Sequence, residues 1–384
     1  MIKIHWIGTG LSAIPGLKRL IKDGFSVMIY NRTINKVYQN LTKINDNCKI
    51  IKFSFDVIEK NIEPGDIVVS MLPGDFHVQI AKICLLRNAH FISSSYISDE
   101  MKKLNNEALE KKLCFVNEVG LDPGIDHCMS HALINEYKKS EVFSKDNQHY
   151  FLSYCGGLSE IPNDFCYKFS WSPLGVLKAL MNPSTSIRNG KTYHVKNPWE
   201  SVEPYHLPMP WGEDVFEVYP NRDSIPFITQ YKMNDGFKIN KFVRGTLRYK
   251  GWKKAWSKIF FDIASMKSKN SEKELNLLSD KLWNLYSYKT NEIDRVILTV
   301  ELKVEKENKI IWHKQFILDT LGNSKGSAMA QLVSNSVALA VKAIFENEII
   351  FGVSATPNKD NLVNRWLSQA EELSDNFILI NRLY

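Results

Sequence analysis

Two glycines, a proline and three acids fall within eleven residues, Asn117-Glu118-Val119-Gly120-Leu121-Asp122-Pro123-Gly124-Ile125-Asp126-His127. The apolar run from Leu113 to Val116 precedes them. An extended apolar run that empties into Gly and Pro reads as a strand ending in a tight loop, and in open α/β sheets ligands collect at the carboxyl ends of strands. A carboxylate held there can pair with an ammonium group, or move a proton once burial brings its pKa near the working pH. Asp122 and Asp126 are the candidates. Asp126 and His127 also read as the cap of a following helix, with Asp126 at the N-cap. Asp122 precedes Pro123, which favours an extended backbone there.

A second cluster stands at the N-terminus. Gly8-Thr9-Gly10-Leu11-Ser12-Ala13 has the form G-x-G-x-x-A, follows a short alternating run from Lys3 to Ile7, and precedes helix-spaced Leu17, Leu20 and Ile21. That order is a dinucleotide fingerprint: Gly8 permits the turn, Gly10 lets a pyrophosphate approach the backbone, and small Ala13 lets helix and strand pack. The helix N-terminus offers free N–H groups to the phosphates. A second strand ends at Tyr30-Asn31-Arg32-Thr33, with no acid for a ribose 2′-hydroxyl. Arg32 and Thr33 suit a 2′-phosphate instead, because a guanidinium pairs with phosphate through a fork of charge-assisted bonds. The expected cofactor is NADP(H).

These clusters need scaffolding. Strand patterns recur at Lys49 to Phe53, Asp66 to Met71, His90 to Ser93 and Leu113 to Val116, mostly separated by helical patterns, which predicts βαβ units and a parallel sheet. Beyond Asn117 the pattern changes. Tyr150 to Gly157, Lys241 to Tyr249 and Arg295 to Val304 read as strands, and Pro198 to Trp211 as irregular surface or a hairpin. Together they predict a second domain with a more antiparallel sheet. Trp252 to Tyr288 is helical in period, a helix is expected from Ser327 to Phe345, and no internal repeat is present.

Length and composition bound the rest. At 384 residues two or three domains are expected. Scattered lysines give 49 basic against 42 acidic residues, a net charge of +7 that suits an anionic small molecule; no nucleic-acid motif accompanies it. The six cysteines lack Cys-x-x-Cys spacing, so neither a zinc site nor a disulfide framework is expected and a reducing compartment is implied. No uninterrupted apolar run reaches membrane-span length, and Lys3 already begins a folded pattern in place of a charged-then-apolar leader. The expectation is a cytoplasmic protein without metal, membrane or nucleic-acid partner, with a homodimer as an option.

Further stretches occur in a telling order: Ser94-Ser95-Tyr96, Gly120 to His127, Tyr154-Cys155-Gly156-Gly157, Tyr167-Lys168-Phe169-Ser170-Trp171-Ser172, Tyr219 to Ser224, and Arg244-Gly245-Thr246-Leu247-Arg248-Tyr249. In that order, from the N-terminus to about Pro357, the chain closely resembles the saccharopine reductases, the NADP-dependent, L-glutamate-forming saccharopine dehydrogenases. The resemblance implies an α/β protein with an N-terminal Rossmann domain, a mixed-sheet α+β substrate domain and a small helical subdomain, the substrate lying between the first two. The corresponding spans are 1–120 with 350–384, 121–250 with 292–349, and 251–291. It implies cofactor contacts at Gly8, Thr9, Gly10, Leu11, Ser12, Asn31, Arg32, Thr33, Asp56, Val57, Met71, Leu72, Ser94, Leu121, Asp122, Pro123 and Ser170. Substrate contacts are implied at Ser95, Tyr96, Asp122, Arg222, Thr246, Leu247 and Arg248. Tyr96, Asp122 and Cys155 would be the polar groups near the chemistry. The loop Leu158 to Cys166 departs from the family by being shorter and lacking the Asn-Pro-Leu-Gly lead into Tyr167.

The residues suit that chemistry on their own terms. Saccharopine carries three carboxylates, which calls for fixed cations, and Arg222, Arg244 and Arg248 are the candidates. Arg244 and Arg248 taken singly also read as surface strand residues. Oxidation requires the secondary amine to lose its proton and water to attack the imine, so a general acid–base is useful twice. Asp122 reads as that group or as a partner for the substrate ammonium, Tyr96 as a hydrogen-bond donor, and Cys155 as a thiol active near cations or a small buried hydrophobe. Two other readings keep the fold: a polyamine-forming, carboxynorspermidine dehydrogenase-like enzyme, and an NADPH-binding sensor without turnover.

Overall fold

The computed structural model describes residues 2–41, 48–266 and 271–383. They form two compact units, Met1–Cys128 with Asn323–Leu373, and Met129–Gly322 with Ser374–Tyr384.

The first unit is built on strands β1 (Ile4–Ile7), β2 (Val27–Asn31), β3 (Cys48–Lys52), β4 (Ile67–Ser70), β5 (His90–Ser93) and β6 (Cys114–Val116). They pair in parallel in the order β6-β5-β4-β1-β2-β3, the doubly wound arrangement, and the order reverses between β1 and β4. Both faces of such a sheet are covered, which is why β1 and β4 are buried at every position and apolar except for His5 and Ser70. The helix Ile14–Lys22 buries the predicted stripe of Leu17, Leu20 and Ile21. Ile58, Ile80, Cys84, Phe91 and Phe115 belong to the core that fills one face of the sheet.

Two boundaries differ from the sequence expectation. The helix Ala328–Phe345, assigned from sequence to the substrate domain, belongs to the first unit and packs on Ile14–Lys22. It is apolar and long enough to cross a membrane, yet most of it is buried as a core helix. The fit of Gly16 against Ser334 fixes it there: the Gly16 N–H donates to Ser334 Oγ at 2.8 Å. The chain then adds β15 (Gly352–Ser354) in parallel beside β6. Its last strand, β16 (Asn376–Asn381), does not stay with the dinucleotide unit as expected for 350–384; it joins the second sheet.

The second unit contains β7 (Gln148–Ser159), β8 (Ser184–Arg188), β9 (Lys191–Val195), β10 (Glu203–Met209), β11 (Gly212–Pro220), β12 (Lys238–Tyr249), β13 (Asp294–Lys306) and β14 (Lys309–Leu321). The order is β10-β11-β12-β7-β13-β14-β16, with the β8–β9 hairpin attached through β12. Only β12 and β7 pair in parallel along that path, so the sheet is mixed. Tyr154, Val218, Val243, Leu247 and Ile297 share one apolar cluster. A second cluster is aromatic: Trp252 stacks on Tyr219 at 4.9 Å, and Trp256 on Phe165 at 4.7 Å. These contacts seat the helices Trp252–Ala255, Ser257–Ser265 and Ser271–Tyr286 in the core of the second unit, so 251–291 is a lobe and not a separate body. Residues 267–270 of that predicted helical stretch lie outside the described residues.

Candidate active site

The glycine turn leaves β1 at the point where the strand order reverses. Gly8 has φ +98°, a left-handed conformation, and a Cβ there would meet the Met71 carbonyl oxygen at 3.0 Å. Only glycine fits that approach to the end of β4. A Cβ added to Gly10 would meet no atom within 4 Å, and Ala13 is buried under the following helix. The Thr9 hydroxyl is buried and has no hydrogen-bond partner among the described residues. An open backbone turn, an unsatisfied buried hydroxyl and a helix start fit a dinucleotide phosphate. Arg32 and Thr33 are exposed just beyond β2, and Asn31 Nδ2 donates to the Thr33 carbonyl at 2.9 Å, shaping the turn that presents them. Leu11 is exposed and Ser12 half-buried in the same turn. Met71 and Leu72 follow β4, Asp56 and Val57 lie in the first turn of a helix capped by Ser54, and Ser94 packs against Gly120. Ser170, in the second unit, has a buried hydroxyl without a partner among the described residues.

Beyond β6 the chain makes the tight loop expected from its composition. Gly124 takes φ +147°, and a Cβ there would strike the Gly120 carbonyl at 2.1 Å. The Asp122–Pro123 peptide is cis, where the sequence had suggested only an extended residue. The Tyr96 hydroxyl donates to Asp122 Oδ1 at 2.7 Å, so two predicted chemical groups form one half-buried pair. Glu118 clamps the segment carrying Tyr96 from both sides: its N–H donates to the Ser95 carbonyl at 3.0 Å, and its Oε1 accepts from the Ile97 N–H at 3.0 Å.

The reading of Asp126 as N-cap and His127 as a capping group is corrected by this geometry. The helix begins at Ile125, which places Asp126 inside the first turn, where its Oδ1 accepts from the Gly124 N–H at 2.7 Å. His127 is fully buried; its Nε2 lies 3.0 Å from Glu118 Oε2, an ion-pair distance without hydrogen-bond alignment, and its Nδ1 lies 3.6 Å from Asp126 Oδ2. Both residues brace the loop from below.

Ser95 has a partner that sequence inspection missed. His77 Nε2 lies 2.8 Å from Ser95 Oγ, and its Nδ1 lies 2.9 Å from Ser70 Oγ at the end of β4. Burial pulls the His77 pKa down to about 4, with nearby Asp75 opposing, so the ring is neutral at neutral pH. No local pattern could have revealed the contact, because His77 belongs to an ordinary helix and Ser95 to a loop eighteen positions on.

In the second unit, Arg244, Thr246 and Arg248 alternate along β12 and therefore share one face of the sheet. Thr246 is in register with Cys155 of β7 and Tyr219 of β11, which brings half-buried Cys155 to that face. The reading of the two arginines as surface residues fails: Arg244 is 2% and Arg248 6% exposed. The Arg244 guanidinium lies 3.9 Å from the centre of the Phe227 ring, and that of Arg248 lies 4.7 Å from Tyr167 and 5.7 Å from Trp252. Arg248 Nη1 donates to the Leu247 carbonyl at 2.9 Å, while its buried Nε has no partner among the described residues. Burial pushes the Tyr167 and Tyr219 phenols up, outweighing the downward pull of Arg248, so both stay neutral. Asn221 Nδ2 donates to Thr246 Oγ1 at 2.9 Å. Half-buried Arg222 follows β11, its carbonyl accepting from Thr185 N at 3.2 Å. Strand alternation turns the Leu247 side chain into the opposite apolar cluster, away from the face that carries Arg244, Thr246 and Arg248. Asn221 and the aromatic residues around Arg248 were missed because their relation to β12 depends on register.

The profile of the saccharopine dehydrogenase NADP binding domain matches residues 4–116, and that of the saccharopine dehydrogenase C-terminal domain matches residues 120–372. The chain belongs to the saccharopine dehydrogenase family. Among saccharopine dehydrogenases, the NADP(+)-specific, L-glutamate-forming enzyme of Pyricularia oryzae is 33% identical over 267 residues, covering 67% of this chain and 56% of the fungal one. The alpha-aminoadipic semialdehyde synthase of Arabidopsis thaliana is 37% identical over 201 residues, covering 50% of this chain and 18% of that protein. The matched region thus spans about half the length of the fungal relative. The apo saccharopine dehydrogenase (L-Glu forming) structure from Saccharomyces cerevisiae superimposes with a TM-score of 0.81 at 24% identity, covering 99% of this chain and 100% of that one, and shares its fold.

Proposed function

We propose that this chain is an NADP(H)-dependent oxidoreductase that interconverts L-saccharopine and water with L-glutamate and L-2-aminoadipate 6-semialdehyde. The observation that carries the reading is the Tyr96–Asp122 pair, held at 2.7 Å at the carboxyl ends of strands whose glycine turn suits a dinucleotide. The two family profiles and the fungal relatives support it.

The turn from Gly8 to Ser12 would hold the cofactor, with Arg32 and Thr33 toward the 2′-phosphate, and the bound nicotinamide would supply the hydride chemistry. Asp122 takes up the proton lost by the secondary amine, and the Tyr96 hydroxyl steadies the carboxylate that does so. Water adding to the resulting iminium gives a carbinolamine and releases one proton to solvent; protonated Asp122 then returns its proton to the nitrogen, and takes back the hydroxyl proton as the C–N bond breaks to leave glutamate and the semialdehyde. Arg222, Arg244 and Arg248 supply the fixed cations that three substrate carboxylates need, and Thr246 and Cys155 add polar groups on the same sheet face as the last two. We also assign the protein to the cytoplasm, which suits the buried thiols Cys84, Cys114 and Cys128, and to a homodimer, which would cover the edge strand β16.

The test is NADPH absorbance with purified protein supplied with glutamate and aminoadipate semialdehyde, then with carboxynorspermidine precursors. Oxidation with the first pair is expected. Oxidation only with the polyamine precursors would move the substrate, and oxidation with neither would leave an NADPH-binding protein without turnover. Light scattering tests the dimer.

A further inference from the structure

We infer that His77 is a positioning residue that holds Ser95 as a hydroxyl donor aimed at the substrate, acting through a Ser70–His77–Ser95 chain. A neutral imidazole has one donor and one acceptor nitrogen. With a serine hydroxyl on each, at 2.9 and 2.8 Å, the tautomer of His77 decides which serine gives its proton to the ring. If Nε2 carries the hydrogen it donates to Ser95 Oγ, and the Ser95 O–H is left to point outward. If Nδ1 carries it, the Ser95 O–H is consumed by the ring and only a lone pair is presented. A substrate rich in carboxylates needs the first arrangement, since a lone pair facing a carboxylate repels it.

The surroundings favour that arrangement. Ser70, buried at the end of β4, can turn its hydroxyl toward Nδ1. His77 is 5% exposed and its ring lies edge-on to Phe91 at 6.2 Å, so water does not compete for either nitrogen. Burial also keeps the ring uncharged, since an imidazolium would donate from both nitrogens and force Ser70 to turn away. The Ser95 backbone is fixed independently, because its carbonyl accepts from the Glu118 N–H at 3.0 Å. The orientation of the hydroxyl is then the one remaining freedom of Ser95, and His77 removes it. The same chain ties the end of β4, which leads into Met71 and Leu72 of the proposed cofactor site, to the residue proposed to meet substrate.

The substrate class here rests on the proposed function; the tautomer does not. Two-bond proton–nitrogen correlation on the labelled protein at pH 7 should show His77 neutral with its hydrogen on Nε2, and an Nδ1–H or doubly protonated ring overturns the inference whatever the enzyme acts on. In the assay, His77→Phe should raise KM for the carboxylate substrate about tenfold with a small change in kcat and unchanged NADPH affinity. His77→Gln, which keeps a donor, should recover part of the loss. The effect should vanish in a Ser95→Ala background, because both changes remove the same contact. Additive losses in His77→Phe/Ser95→Ala, or a His77→Phe loss confined to NADPH affinity, would overturn it. A wild-type protein inactive on saccharopine, yet showing the Nε2–H ring, would instead overturn the functional reading alone.

Discussion

At the scale of single residues, the proposed reaction assigns proton transfer to Asp122 and its positioning to the hydrogen-bonded Tyr96 hydroxyl. Asp122→Asn keeps the shape and the contact with Tyr96 but removes the base, so kcat should fall at least about 100-fold while NADPH affinity, read by fluorescence titration, stays near normal. Unchanged turnover would remove Asp122 from proton transfer. His77 makes a second prediction, about pH. Its folded pKa of about 4 lies below its ordinary value of 6.5, so the unfolded chain binds this proton first as pH falls. Stability from His77 is therefore complete above pH 6.5 and is lost progressively toward pH 4, by up to about 3 kcal/mol at 1.36 kcal/mol per unit. Urea titrations across that range should show a shallower pH dependence for His77→Gln than for wild type. Of these residues, Asp122 could be picked out from its loop composition. His77 could not, because its importance comes from a contact and not from its neighbours in the chain.

At the scale of elements, the helices Ile14–Lys22 and Ala328–Phe345 meet at a point with no spare room. A Cβ on Gly16 would lie 1.9 Å from the Ser334 carbonyl oxygen. In an isolated helix alanine is favoured over glycine by about 1 kcal/mol. Here the backbone clash wins, and Gly16→Ala should destabilise the protein by about 1–3 kcal/mol in chemical denaturation; a stabilised variant would show that the helices separate freely. The alternation along β12 is the other element-scale device. It turns Arg244, Thr246 and Arg248 to one face and Leu247 to the apolar cluster on the other. Arg248→Lys keeps the charge but loses the planar fork and the stacking on Tyr167, so KM for the carboxylate substrate should rise by about ten- to a hundredfold with little change in NADPH affinity.

For the whole molecule, the assignment of NADP(H) has a thermodynamic consequence. A ligand that binds only the folded state stabilises it by about 2.7 kcal/mol at one hundred times its Kd. NADPH should therefore raise Tm, and NADH at equal concentration should raise it far less. Arg32→Ala should narrow that difference by weakening NADPH alone; equal shifts for both cofactors in the wild type would contradict a 2′-phosphate site at Arg32.

Read alone, the sequence determined the parts whose physics is local. The strand–glycine-turn–helix at residues 4–22, the succession of βαβ units and the Gly-Pro loop after β6 each follow from spacing within a few dozen residues, and the parallel sheet follows from their repetition. Tertiary structure decided what depends on distant partners. It sent the helix Ala328–Phe345 to Gly16, more than three hundred positions away, and returned β16 to the second sheet beside β14. It also buried Arg244 and Arg248 among aromatic rings and joined His77 to Ser95. A strand's pairing partner and a charged side chain's burial are set by the surface they meet, and that surface exists only once remote segments have come together.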